Sequence, residues 1–281
     1  MRNFEEFIFN PPLALASGTW GLGDNLFKYY TKQEIESTFG ALITKGISLK
    51  PRKGNPPPRI WETPCGFINS IGIENPGIKE FKKNFLKKLL TLNTEIFVNL
   101  YGETIEEFCL LAEELKSENI AGIELNISCP NVEKGGISFA LQPELIKELI
   151  LEIKKIWDKK LWVKLSPVGF VFDIAKICED LGVDAIVIAN TYPGLVVIEK
   201  NKILKGGVSG PAIKPLTLRL VYEISKKFSI PIIGCGGIMN AKDVEDYFLC
   251  GAKGVQIGTA FLIDPEIPKK IIKELEKKWG M

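Results

Sequence analysis

Residues 161–190 read LWVKLSPVGFVFDIAKICEDLGVDAIVIAN. Two apolar runs, Leu161–Leu165 and Ala185–Asn190, enclose Val171–Leu181, whose apolar side chains recur at helical spacing. Each run is apolar on successive residues, as a strand must be when helices cover one face and packed core the other. The same alternation extends in both directions. Further runs are Leu13–Ser17, Ala41–Gly46, Ile96–Leu100, Gly122–Ile127, Pro231–Gly234 and Gly254–Gly258. Amphipathic segments follow the strands: Lys32–Phe39, Lys79–Leu92, Thr104–Glu118, Pro143–Trp157, Val171–Leu181, Pro215–Phe228, Ala241–Leu249 and Pro265–Trp279. Eight strands alternating with eight helices predict an α/β fold, a (β/α)8 TIM barrel. A doubly wound open sheet would show about five or six strands.

Thr104 with Glu107 three residues on predicts a capping box, and Pro143, Pro215 and Pro265 predict first-turn prolines. Two connections, Leu49–Ile78 and Tyr192–Lys214, are too long for plain βα loops. The first, rich in Pro and Gly, is read as an inserted loop or hairpin region between strands two and three. No composition shift, repeat or low-complexity tract divides the chain, so residues 1–281 are expected to form one barrel domain.

Lys and Arg total 36 against 34 Asp and Glu, a net charge of +2. Near-balance with dispersed lysines gives no global field for nucleic acid or an anionic membrane. The 6 cysteines lack paired spacing and the chain has no histidine, which argues against ordinary zinc sites. Residues 1–10 lack the apolar run of a signal peptide, and no stretch approaches a membrane span. A cytoplasmic protein with reduced thiols is expected.

In a barrel, chemistry gathers at the C-terminal ends of the strands. Those ends carry Ser17, Lys45, Asn99, Asn126, Lys164, Asn190-Thr191, Gly236-Gly237 and Gly258-Thr259. Lys45 and Lys164 each interrupt an apolar run. One strand-end lysine can snorkel to solvent, but two on one rim point to a bound anion or an electron-rich ring. Asparagine amides match the alternating donors and acceptors of a pyrimidine or isoalloxazine edge. Asn99, Asn126, Asn131 and Asn190 on the rim, with Asn69 in the long loop, exceed what local backbone caps explain. Glycines after strands seven and eight free backbone N–H groups for a phosphate. Cys109, Cys178 and Cys250 fall in or beside helical stretches and read as inert. Cys129 sits among polar rim residues, where a thiol can act as a base.

These residues resemble the class 1 dihydroorotate dehydrogenases. The resemblance rests on Ala16-Ser17-Gly18-Thr19, Thr44-Lys45-Gly46, the loop Asn69-Ser70-Ile71-Gly72-Ile73-Glu74-Asn75-Pro76-Gly77 and Glu124-Leu125-Asn126-Ile127-Ser128-Cys129-Pro130-Asn131. It continues through Val163-Lys164-Leu165-Ser166-Pro167, Asn190-Thr191, residues 206–211 and the two glycine sites, and spans about Leu13 to Pro265. The wording is similar to the B subtype. The resemblance implies oxidation of dihydroorotate to orotate in pyrimidine biosynthesis, with hydride leaving C6 for N5 of FMN. Cys129 would take the C5 proton, and Lys45 and Lys164 would assist. It implies FMN contacts from Ser17, Lys45, Gly46, Asn99, Asn126, Lys164, Ala189, Gly210, Gly236, Gly237, Gly258 and Thr259. It implies substrate contacts from Lys45, Asn69, Ser70, Ile71, Gly72, Ile73, Asn126, Asn131, Asn190 and Thr191. An iron–sulfur FAD subunit, joined in a heterotetramer, would pass electrons to NAD. Cys65 stands where Gly or Ser is commoner, placing a second thiol near the pocket, and the stretch from Thr191 to Gly206 is shorter than usual for the subtype. A dihydropyrimidine dehydrogenase-like flavin barrel and a non-redox phosphate-binding barrel stay open as alternatives.

Overall fold

The computed structural model describes residues 7–23, 25–128, 141–200 and 202–280. Eight short strands, buried along almost their whole length, close into an all-parallel barrel. They are β1 (Leu13–Leu15), β2 (Ala41–Ile43), β5 (Glu95–Leu100), β6 (Gly122–Asn126), β7 (Lys160–Lys164), β8 (Ala185–Ile188), β11 (Ile232–Cys235) and β12 (Gly254–Ile257), and β1 also pairs with β12. Every expected barrel strand is present, with ends shifted by at most three residues.

Side chains alternate across each strand, and the two faces build two cores. Leu13 and Leu15 of β1 point outward into the layer shared with the helices. Ala14 and Ala16 point inward, with Phe97, Trp162, Val187 and Ile233, to fill the barrel. The Phe97 and Trp162 rings stack with centroids 3.5 Å apart. Two residues further along the same strands, the inward row becomes Asn99, Lys164 and Cys235. One period-2 pattern thus makes both the barrel floor and the site above it.

Ile105–Leu115, Pro143–Ile156 and Val171–Asp180 are trimmed forms of the expected helices, and Ala241–Leu249 has the expected bounds. The expected Lys79–Leu92 is interrupted by a π-helical segment, Lys82–Leu86. The capping box at Thr104 is half formed. Its hydroxyl accepts from Glu107 N, but the Glu107 carboxylate accepts from Glu103 N instead of Thr104 N. Pro265 precedes the last helix, Ile267–Trp279, whose first-turn proline is Pro268. Among the described residues, the short α-helices Leu26–Tyr29 and Thr259–Ile263 are additional to those expected.

The inserted region between the second and third barrel strands is a hairpin, β3 (Ile60–Thr63) and β4 (Gly66–Asn69). The other long connection is a hairpin too, β9 (Tyr192–Glu199) and β10 (Lys202–Ser209). β10 pairs antiparallel with β4, so both insertions form one four-stranded sheet, β3-β4-β10-β9. Among the described residues, no helix is long and apolar enough to cross a membrane.

Candidate active site

The inward row of β5, β6, β7 and β12 turns polar near the C-terminal rim. Lys164 ends β7 with 5% of its surface exposed, and its Nζ donates to Gln256 Oε1 of β12 at 3.3 Å. Gln256 Nε2 donates to Glu124 Oε2 at 2.7 Å, and Asn99 Nδ2 donates to Glu124 Oε1 at 2.7 Å. Asn126 Nδ2 donates to Asn99 Oδ1 at 3.3 Å. Nearer the rim, Asn190 Nδ2 donates to Ser128 Oγ at 2.9 Å.

Burial opposes the charge on Lys164, but Cys235 and Glu124 outweigh it and hold the amine above the ordinary lysine range. Burial raises the Cys235 thiol despite the pull of Lys164. Lys45 behaves oppositely. Burial lowers it, Glu74 pulls back up at 3.9 Å, and Arg59 adds to the lowering.

Above this row lies a cavity of about 430 Å3, within the usual size of small-molecule sites. Its lining gathers most of the residues expected from the sequence: Ser17, Lys45, Gly46, Asn126, Lys164, Ala189, Gly210, Gly236, Gly237, Gly258 and Thr259. Asn69, Ile71, Gly72, Ile73, Asn190 and Thr191 line it as well. Two expected residues do not. Asn99 lies beneath the lining, fully buried and facing Glu124 and Asn126. Ser70 is engaged by Asn55, whose Nδ2 donates to Ser70 Oγ at 3.0 Å. Cys129 and Asn131 lie outside the described residues. Among the described residues Cys235 contributes a thiol to the cavity, whereas Cys65 is exposed and not part of the lining. Gln256 also lines the cavity unannounced, although a glutamine inside an apolar strand carries the same signal as Lys164.

The loop before the third barrel strand is held by Asn75. Its Nδ2 donates to Ile73 O at 2.8 Å, and its Oδ1 accepts from Gly77 N at 2.9 Å. This helps keep Ile73 at φ 56°, a left-handed conformation that β-branched residues avoid. The inserted sheet is tied to the barrel where Thr259 Oγ1 donates to Ser209 Oγ at 2.9 Å.

The glycines differ in what they do. Gly237 has φ 66°, and a Cβ there would lie 2.9 Å from Gly210 O and 3.0 Å from Lys214 N. Gly258 has an ordinary φ, and an added Cβ would find its nearest neighbour, Thr19 Cγ2, at 3.5 Å. Its missing side chain therefore leaves cavity space free.

Side chains converging in this way on the C-terminal mouth of a closed parallel barrel define a (β/α)8-barrel enzyme. The profile of the dihydroorotate dehydrogenase family matches residues 2–279. A relative from Thermoanaerobacter pseudethanolicus is 42% identical over 274 residues, 95% of this chain and 89% of its own. One from Geobacter sp. is 45% identical over 273 residues, 95% of this chain and 88% of its own. Both carry the name dihydroorotate dehydrogenase B (NAD(+)), catalytic subunit. A solved DHODH from Eimeria tenella, in complex with ferulenol, shares the fold. Its TM-score is 0.83 at 20% identity, covering 99% of this chain and 84% of that one. The chain belongs to the dihydroorotate dehydrogenase family. Its reaction is the oxidation of dihydroorotate to orotate, a step in pyrimidine biosynthesis.

Proposed function

We propose that the cavity holds FMN and dihydroorotate together, and that the chain, as a single barrel domain, hands its electrons to NAD through a partner subunit. The observation carrying this reading is the chemistry of the lining. It brings a buried cation, Lys164, the amide of Asn126 and the glycines Gly236, Gly237 and Gly258 to one cavity. Gly236, Gly237 and Gly258 suit a phosphate, because glycine turns at strand ends can offer backbone N–H groups to an anion, and at Gly258 the missing side chain leaves room for it. Ser17, Gly46, Ala189, Gly210 and Thr259 complete the FMN contacts, with Asn99 acting from beneath.

The bound flavin supplies a hydride acceptor. The chain's residues do the rest. Lys164 lends a fixed positive charge to the electron-rich ring, an electrostatic stabilisation that is strong away from water. Lys45 attracts the substrate carboxylate. Asn69, Asn126, Asn131, Asn190 and Thr191 orient the pyrimidine ring, and Ile71 to Ile73 shape its pocket, with Ser70 supporting that loop. Cys129 accepts the C5 proton as general base.

The relatives' name supports a separate electron-transfer subunit linked to NAD. An iron–sulfur FAD protein fits that role, since the sequence has no GxGxxG fingerprint and no iron–sulfur cysteine pattern. Dispersed unpaired cysteines support a cytoplasmic setting. The test is anaerobic flavin reduction by dihydroorotate and, separately, by dihydrouracil. Rapid bleaching by the first and not the second is expected. Equal bleaching by both would favour a dihydropyrimidine dehydrogenase-like activity. Purified protein without a flavin spectrum after FMN is supplied would overturn the cofactor.

A further inference from the structure

Glu124 is a carboxylate in a barrel interior, wholly inaccessible to solvent on β6. Burying such a group is costly unless its oxygens are bonded. Both are, one by Asn99 Nδ2 and the other by Gln256 Nε2. Glu124 is not itself among the residues lining the cavity. An ionised carboxylate only accepts hydrogen bonds, whereas a side-chain amide has one donating and one accepting end of nearly the same shape. Glu124 therefore obliges both amides to turn their NH2 groups toward it. Their carbonyl oxygens must then face outward, Gln256 Oε1 to the Lys164 ammonium and Asn99 Oδ1 to Asn126 Nδ2. The second relay runs on, because Asn126 Oδ1 then faces Ser128 N.

We infer that Glu124 is a positioning residue whose two acceptor oxygens set the polarity of two amide relays, one ending at Lys164 and the other at Asn126. This rests on the FMN reading above, since Lys164 and Asn126 are where the relays meet the cavity. Glutamine at 124 keeps the shape but must offer NH2 to one neighbour. Either Gln256 then turns its own NH2 on the Lys164 ammonium, or Asn99 turns its NH2 on Asn126 Nδ2. Both arrangements set donor against donor. The charge of Glu124 also favours the charged form of Lys164.

The experiment compares FMN-loaded wild type, Glu124→Gln and Gln256→Met. The readouts are the orotate dissociation constant from flavin spectra, the flavin midpoint potential from anaerobic dye titration, and Tm. Gln256→Met cuts only the Lys164 relay. It should weaken stabilisation of the reduced flavin about tenfold, lowering a two-electron potential by about 30 mV, with orotate affinity within about twofold of wild type. Glu124→Gln should retain flavin and shift at least one of the two readouts by about tenfold. Glu124→Gln leaving both readouts unchanged would overturn the inference. So would Gln256→Met moving both alike, or loss of fold in both variants, which would make the network purely structural. If Glu124→Gln alone does not fold, Gln256→Met decides. Wild type that takes up no FMN, or is not reduced by dihydroorotate, would instead sink the underlying reading.

Discussion

Lys45 Nζ lies 3.9 Å from Glu74 Oε2, and the same oxygen is only 3.1 Å from Arg59 Nη1. The cation assigned to the substrate carboxylate thus already faces a protein carboxylate that leans toward another partner. Glu74 is nearly half exposed and sits in the loop that lines the cavity. Its attraction for Lys45 is accordingly weak.

Glu74→Gln removes a competing anion, so orotate should bind more tightly. Exposed ion pairs contribute about 0–1 kcal/mol, which limits the gain to about fivefold. The gain should shrink as salt rises. Titration of orotate against the flavin spectrum at low and high salt reads this directly. Weaker binding at full flavin content would mean that Glu74 positions Lys45 instead of competing for it.

Because burial lowers Lys45, its charge is lost below the ordinary lysine range as pH rises. Affinity for the anionic ligand should therefore fall on the alkaline side at a pH below about 10.4, the unperturbed lysine value. Stability of the ligand-free protein responds with the opposite sign. Between the lowered folded value and the ordinary unfolded one, the unfolded chain binds more protons, so this group adds stability as pH rises. Lys45→Arg should abolish the alkaline loss of affinity, since guanidinium keeps its charge throughout. A dissociation constant that rises with pH equally in both proteins would rule out Lys45 as the titrating group.

The barrel was legible because its strands are apolar on both faces, a pattern that only helix-covered parallel strands need. Pairing of the two insertions was not. It joins Phe67–Asn69 to Gly207–Ser209 across some 140 residues of sequence, and half-exposed antiparallel strands leave only a weak alternation to read. Lys45 and Lys164 stood out because each closes an apolar run. Glu124 sits mid-strand in such a run, where the same departure was absorbed into the strand, and Gln256 was passed over likewise. What those two side chains bond to depends on inter-strand register, Asn99 opposite Glu124 and Cys235 opposite Gln256. No single strand encodes that. That Ser70 turns toward Asn55 was not legible, because a motif names a loop but not which way each side chain turns.

Gly258→Ala separates cradle from fold. The new methyl meets ordinary van der Waals contacts and φ is negative, but ψ −88° lies outside the regular helical and extended regions, so Tm should fall only modestly, and by less than in Gly237→Ala. The methyl would occupy space left for the phosphate, and FMN affinity should drop about tenfold or more, the equivalent of about 1.4 kcal/mol. Gly237→Ala should lower both, because φ 66° and the nearby Gly210 carbonyl strain any side chain. Fluorescence titration of apoprotein with FMN, alongside thermal unfolding, distinguishes them. Unchanged FMN affinity in Gly258→Ala would remove that residue from the cradle.

The proton acceptor can be identified by which limb of a pH profile moves. A thiol ordinarily titrates near 8.5, and only the thiolate accepts the C5 proton. Flavin reduction should therefore rise with pH through the titration of Cys129 and fall again as Lys45 loses its charge. Lys164 contributes to neither limb, since its value is held above the ordinary lysine range. Cys129→Ser should push the rising limb to higher pH, a hydroxyl being far harder to ionise, and leave the falling limb in place. Lys45→Arg should move only the falling limb. Cys129→Ala should keep bound FMN, because Cys129 is assigned no flavin contact, and slow flavin reduction by about 10²–10⁴, the usual cost of losing a general base. Stopped-flow reduction from about pH 6 to 10, a span that brackets the thiol value, resolves both limbs. A rising limb that stays put in Cys129→Ser would mean that another group takes the proton.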